Sequence, residues 1–574
     1  MNTTNLSLRK RLLSLCAAVT FAATVCAGNT VDEMPIVLGG ELSNSAATCV
    51  EDIREVMPRM KKAGLNTVLV PVYWEFLEPQ EGRFDYTLLD TMVDEARKNN
   101  LRIGILWFGA WKNSMSCYAP LWFKQDTKRY PRAVTRSGKP LEIASCFSEN
   151  VYRADAAAFT AMVDRLQEID AAGKVVSMIQ IENEIGMLED ARDHSPEANR
   201  LFAADVPEAL IRHLQKNRKL LHSQLAEKWQ QNGNKTRGSW EQVFGSDIYT
   251  DEMFMAWHYG VYVERLAKIA RSRSSRMLYV NAAMNSRGRK PGEYPSAGPL
   301  AHLKDVWHAA APTIDILAPD IYDTGFASWC SQYALTDNRL FIPESRCCVN
   351  SGVRALYAFG EHDALGFSPF AIDQASPQEV ATVTNSYKLM EQIAALYNNR
   401  CANIVNKWGV LFDKDSKERI ITDGAAVLTC RHYFTLPWDP RANSSSAWQE
   451  GGGMILKLAA DEYLVAGNGI VVEFATEYEK KYEKERQQAG TERKLGEDGF
   501  LLAGDNSGKA KNDNAAPKFK GQRMGIGFVD EVEVEANGNM KFLRRHNGDQ
   551  SHQGRHVRIS VDDWKMLHVR LYRY

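Results

Sequence analysis

Between Met34 and Asn399, short apolar runs rich in β-branched residues alternate with segments whose apolar positions fall at helical spacing. The runs Ile36–Gly40, Thr67–Val72, Arg102–Phe108 and Val175–Ile181 predict four strands. Arg276–Ala282, Ile314–Pro319, Leu340–Ile342 and Leu365–Phe370 predict four more. Helical spacing covers Val50–Ala63, stopped by Gly64, then Tyr86–Asn99 and Ala154–Ala171. Ser376 and Pro377 open a last helix as N-cap and first helical residue. Strands that are apolar on both faces belong inside a parallel sheet, so an ordered β-then-α repeat predicts a closed (β/α)8 TIM barrel. A polar, helix-bearing segment from Ser195 to Gly245 interrupts the fourth unit. Its run Val206–Trp229 predicts one helix, and the insertion is expected over the barrel top, walling a cleft.

After Cys401 the period changes to short alternating runs: Val410–Phe412, Met454–Leu458, Tyr463–Ala466, Ile470–Phe474, Val532–Val534 and Met566–Leu571. They predict a C-terminal antiparallel β-sandwich over residues 401–574, following a catalytic barrel over 28–400. The stretch Glu477–Lys511, dense in charge and glycine, is expected to be a solvated excursion. With no evident row of exposed aromatics, bracing the barrel is the expected role of this module.

A chain of 574 residues exceeds one hydrophobic core, in line with two domains. The net charge of −1 gives no reason to expect a nucleic acid or an anionic membrane as partner. At the N-terminus, Arg9-Lys10-Arg11 precedes the apolar stretch Leu12–Val25 and the small residue Ala27, the pattern of a cleaved signal peptide over residues 1–27. Export to the periplasm or medium is therefore expected. Lipid anchoring through Cys26 is less favoured, because Val25 is a poor residue before a lipidated cysteine. No second long apolar stretch predicts a membrane span. The ten cysteines show neither CxxC nor a Cys/His zinc spacing, and HExxH is absent, so neither metal nor organic cofactor is expected. The sequence leaves the oligomeric state open.

Two predicted strands end in carboxylates. The fourth runs into Glu182-Asn183-Glu184 and the seventh into Pro343-Glu344. In a (β/α)8 barrel the C-terminal strand ends carry the chemistry, and the fourth and seventh strands face each other across the axis. Two carboxylates meeting there are what glycoside hydrolysis requires. Glu184 and Glu344 are thus the candidate catalytic pair. Asn183 is placed to bind a sugar hydroxyl, and Tyr322, at the end of the sixth strand, to donate to Glu344. Trp111, Lys112 and Asn113 follow the third strand and are candidate sugar contacts. Trp74, ending the second strand, is a candidate stacking platform.

These residues resemble a known group. Gln180-Ile181-Glu182-Asn183-Glu184 together with Glu344 is similar to the clan of retaining glycosidases on (β/α)8 barrels. Trp74-Glu75-Phe76-Leu77-Glu78-Pro79, followed by Gly82-Arg83-Phe84-Asp85, resembles the β-galactosidases of glycoside hydrolase families 35 and 42. Trp107–Asn113 and Tyr118–Trp122 resemble the bacterial family 35 branch that carries its own C-terminal β-domain. Strand seven departs from many family 35 members in reading Phe-Ile-Pro-Glu-Ser-Arg where they show Thr-Glu-Phe. The resemblance implies Glu184 as acid/base, Glu344 as nucleophile and a retained β-galactose product. The expected function is a retaining exo-β-galactosidase acting on oligosaccharides or polysaccharide side chains. The alternatives are a related barrel glycosidase (family 42-like, β-glucanase or β-mannanase) and, less favoured, a non-catalytic carbohydrate-binding protein.

Overall fold

Eight parallel strands close into a barrel: β1 (Val37–Glu41), β2 (Thr67–Tyr73), β3 (Arg102–Phe108), β4 (Val176–Gln180), β5 (Met277–Ala283), β6 (Ile316–Ile321), β7 (Phe341–Ser345) and β8 (Gly366–Pro369), with β8 pairing back onto β1. The structure is a computed structural model that describes residues 34–398, 404–436, 438–444, 448–489 and 517–574. The signal segment, Cys26, Cys401, the expected boundary at residue 400 and residues 490–511 lie outside the described residues. An outer helix follows each strand in turn: α1 (Val50–Lys62), α2 (Thr87–Lys98), α3 (Glu149–Ile169), α4 (Ile248–Arg271), α5 (Lys304–Ala310), α6 (Phe326–Tyr333), α7 (Ser351–His362) and α8 (Pro377–Asn398).

The strands are buried along nearly their whole length because side chains fill the barrel interior on one face and outer helices cover the other. The helices follow the stripe rule: α1 buries Ile53, Val56, Met57 and Met60 and leaves its charged residues outside. Register then fixes which strand ends are neighbours. Asp320 on β6 pairs with Glu344 on β7, and Glu41 at the end of β1 bridges Phe370 just past β8.

The loop after β3 carries its own hairpin, Arg132–Val134 with Pro140–Ala144. Two expectations need correction. The run Val206–Trp229 is two helices, Glu208–Lys216 and Ser223–Gln231, because Asn217 closes the first and His222 caps the second. The insertion also packs sideways. Phe202 and Trp240 meet Phe254 of α4 edge-on, and the His222 amide donates to Asp305 of α5, so its contacts run to the outer helices.

The C-terminal region forms two antiparallel sheets. Strands β9 (Asn406–Phe412), β10 (Glu418–Asp423), β11 (Ala426–His432), β12 (Gly451–Ala459), β13 (Glu462–Asn468), β14 (Ile470–Thr476), β15 (Met524–Val534), β16 (Met540–Arg545), β17 (Val557–Ile559) and β18 (Lys565–Arg573) order as β9-β12-β13-β18-β15-β16 and β10-β11-β14-β17. Both sheets supply one core that includes Val410, Leu428, Ile455, Val465, Val472 and Val569. Within the expected solvated excursion, Glu477–Gln488 is a helix with no buried residue and a capping box between Thr476 and Glu479.

Ile36–Tyr574 belong to one compact unit. The seam between barrel and sheets is α7, the helix that follows β7. Arg354 on α7 pairs with Glu450, both largely buried. Gly360 faces β9 and β12 so closely that a Cβ would lie 2.8 Å from Met454 Cγ and 2.9 Å from Gly409 Cα. Gly360→Ala should therefore lower stability by about 1–3 kcal/mol through overpacking. Thermal or urea unfolding of the purified variant checks this, and an unchanged midpoint would refute the close seam.

Candidate active site

The loops after β3 and β4 zip together at the barrel mouth. Asn183 N donates to Trp111 O, Asn113 N to Asn183 O and Ser114 N to Glu184 O, each over 3.2 Å. Glu182 and Glu184 take left-handed backbone, with φ of +58° and +44°, an uncommon conformation for glutamate that persists when its surroundings over-determine it. The surroundings are visible. Glu182 Oε2 accepts from Trp111 N at 2.8 Å, and Glu184 N donates to Asn281 Oδ1 at 2.9 Å. Behind them, Asp155 of α3 accepts from Trp107 Nε1 at 2.9 Å and from the Tyr262 hydroxyl at 2.6 Å, with its carboxyl against that of Glu182. Gly109 makes room for this: a Cβ there would stand 2.8 Å from Asp155 and 2.9 Å from Glu182.

One carboxylate oxygen each from Glu184, Asp320 and Glu344 lie within 4.8 Å of one another, and all three residues are buried. Tyr322 donates its hydroxyl to Glu344 Oε1, and Asn113 donates its side-chain amide to Glu184 Oε2. Asn281 Nδ2 donates to Asp320 Oδ2 at 2.7 Å, so β5 ties the acid cluster to the backbone of Glu184. Lys112, 3% exposed, brings an ammonium group into the same space, 4.9 Å from the Phe108 ring centre. The three carboxylates have a spacing that could hold a cation, but Lys112 already supplies positive charge to all three.

Burial and mutual repulsion set the protonation states. Glu184 is pushed up to about 7, first by burial and then by the charge of Glu344, while Lys112 and hydrogen bonds from Asp320 and Asn113 pull the other way. Asp320 is raised well above the ordinary aspartate range by burial and by the charges of Glu344 and Glu184. Glu41 is raised likewise, by burial and then by Glu344. For Lys112 burial disfavours the charge, but Glu344, Glu184, Glu41 and Asp320 outweigh it and hold the proton on.

Of the residues singled out in the sequence, Glu184, Glu344, Lys112, Asn113 and Tyr322 meet in this one centre. Asn183 lies beside it, with neither side-chain polar atom bonded to any described residue. Two do not belong to its lining. Trp74 is fully buried, donates to Glu78 at 2.8 Å and packs edge-on against Trp122, so it is floor packing and offers no face to a sugar. Trp111 is also fully buried, edge-on to Tyr259 and Tyr262 of α4, and its backbone rather than its ring serves the site. Sequence reading missed Glu41, Asp320 and Asn281. The signal was there in each case, a polar residue at the C-terminal end of a barrel strand, the same signal that marks Glu344.

A family model described as β-galactosidase, that of glycoside hydrolase family 42, matches residues 46–252. The match includes Glu184 and stops short of Glu344. A model described as a domain of unknown function (DUF5597) matches residues 383–558. Neither of these matches is to family 35. No curated protein matches the chain. Similar solved structures include β-galactosidases from the psychrophilic Marinomonas ef1 (14% identity, TM-score 0.44, covering 63% of this chain and 60% of that one) and from Rahnella sp. R3 (16%, 0.43, 64% and 57%). A third is Gan42B, a family 42 β-galactosidase from G. stearothermophilus (15%, 0.44, 63% and 57%). The chain thus spans under two thirds of the length of these proteins.

Proposed function

We propose that the chain is an exported, retaining exo-β-galactosidase that removes terminal β-linked galactose from oligosaccharides or polysaccharide side chains. One observation carries this reading: Glu184 and Glu344 present oxygens within 4.8 Å of each other at the barrel mouth. Retaining glycosidases hold their carboxyl pair about 5–5.5 Å apart, whereas inverting enzymes leave room for a water between them. The family 42 match supports galactose as the sugar. We place the chain with family 42 rather than family 35, because the family model that matches the barrel is that of family 42. The loops after β3 and β4 are hydrogen-bonded to each other at the barrel mouth, which supports a pocket and action at chain ends.

In this mechanism Glu344 attacks the anomeric carbon while Glu184 gives its proton to the departing oxygen. Galactose is then esterified to Glu344, whose negative charge has gone. The repulsion that helped hold the Glu184 proton goes with it, and Glu184 can take a proton from water as that water attacks the ester carbon. Asn183 would hold a sugar hydroxyl, and Tyr322 orients Glu344 for attack.

The first step needs Glu184 protonated. With its pKa up to about 7, kcat/KM should hold on the acid side and fall as pH rises through about 7. The test is a panel of nitrophenyl glycosides, including β-glucosides and β-mannosides, read from pH 4 to pH 10, with NMR of the first-formed sugar. The reading expects β-galactoside cleavage, this alkaline limb and β-galactose as first product. Cleavage of none of the β-glycosides, or α-galactose appearing first, would refute it.

A further inference from the structure

Glu41 is the residue of the centre that the proposed mechanism does not use. It ends β1, has no exposed surface, and no described protein group donates to either of its carboxyl oxygens. Buried oxygens left in that state are costly unless a proton or a partner satisfies them. Its carboxyl stands against that of Glu344, within hydrogen-bond reach. Glu344 shows the complementary lack. Its Oε1 accepts from Tyr322, while Oε2 is buried and without a donor. Two carboxyl groups facing each other with no other donor between them are stable only if at least one of them holds a proton.

The neighbours indicate which. Among the described residues, Glu41 is faced by Glu344 on β7, Glu184 after β4, Asp320 on β6, the Tyr279 hydroxyl on β5, the Tyr322 hydroxyl after β6 and, as the one cation, Lys112 after β3. A single positive charge among four carboxyl groups balances one anion. Tyr322 donates to Glu344, which marks Glu344 as that anion.

We propose that Glu41 is a positioning residue that keeps its proton at neutral pH and donates it in a hydrogen bond to Glu344, so that the nucleophile is held from two sides, by Tyr322 and by Glu41. The proton stays on Glu41 through both displacements. While Glu344 is a carboxylate, the bond stabilises its negative charge. When Glu344 is the glycosyl ester, the carbonyl oxygen accepts it, and the same bond aids release of the carboxylate as water attacks. The kinetic part of this inference rests on the glycosidase reading; the protonation of Glu41 does not.

Two measurements on the purified full chain separate the two. Infrared difference spectra between wild type and Glu41→Gln at pH 7 should show a protonated-carboxyl stretch present only in the wild type, and that stretch should shift in Glu344→Gln, where the anion is gone. In galactoside assays Glu41→Gln, whose amide still donates, should keep kcat/KM within about fivefold and leave the alkaline limb in place. Glu41→Leu should lose on the order of 10²-fold, mostly in kcat, the usual cost of a missing oriented donor. A missing infrared band, a band indifferent to Glu344→Gln, or a Glu41→Gln enzyme as poor as Glu41→Leu would overturn the proposal. If the band is found but no glycoside is cleaved, the enzyme reading falls and the proton on Glu41 stands.

Discussion

Glu344→Gln is expected to reduce galactoside turnover by at least about 10³-fold, because the neutral amide cannot attack the anomeric carbon and the covalent route closes. Glu344→Gly should be as inactive, yet recover measurable turnover in azide and release a galactosyl azide of inverted configuration. Glu184→Gln should behave differently. Its loss, about 10²–10⁴-fold on substrates with poor leaving groups, should shrink on dinitrophenyl galactosides, whose departing phenolate needs no proton. The contrast between the two variants is the informative result. Equal losses on good and poor leaving groups for Glu184→Gln would remove it from the acid role. Retained turnover in Glu344→Gln would end the nucleophile assignment. Both variants are isosteric, so their unfolding midpoints should stay close to wild type and separate chemistry from folding.

Lys112→Met is the second large effect. The ammonium is the counter-charge to four buried carboxyl groups, and removing one side of a buried charge arrangement commonly costs about 3–5 kcal/mol. The direction with pH follows from the acids left behind. Lys112 lowers the pKa of both Glu184 and Glu41, so without it those values rise further above their unfolded values. An acid whose folded pKa is raised contributes most stability below its unfolded pKa and loses it as pH rises through the folded pKa. Lys112→Met should therefore be destabilised most near pH 8 and approach wild type near pH 4. The alkaline limb of kcat/KM should move up by about one pH unit, since Glu184 keeps its proton longer. Thermal melts and rate profiles across pH measure both. A stability deficit that is the same at pH 4 and pH 8 would show that Lys112 acts by packing alone.

Much of this architecture was legible in the sequence because buried parallel strands leave an unmistakable mark. Arg102–Phe108 as read is the observed β3, and the other barrel strands differ by a few residues at their ends. The carboxylates at the ends of β4 and β7 stood out for the same reason: charge directly after an apolar run is conspicuous. Glu41 and Asp320 carry that mark too, but a strand end alone does not say which acids register alongside each other, and the pairing of Asp320 with Glu344 exists only once the barrel closes. The aromatic residues failed in the opposite direction. Trp74 opens a short helical turn just past β2 and Trp111 lies in the loop after β3, and nothing local to their sequence distinguishes a ring turned to a sugar from one turned into Trp122 or Tyr262. In the C-terminal module, β10, β11, β16 and β17 were overlooked: exposed, charged strands such as Met540–Arg545 lack the alternation that reveals a half-buried one, and Ala426–His432, buried along nearly its whole length, shows no alternation either.

The helix that follows the Glu344 strand is roofed not by another barrel helix alone but by sheets encoded further down the chain, through Gly360 against Met454 and Arg354 against Glu450. A gene fragment ending after α8 would strip that roof from the nucleophile's own support. The two regions are accordingly expected to travel together through evolution, and an exchange of C-terminal modules between relatives would succeed only where the small residues of this seam are exchanged with them.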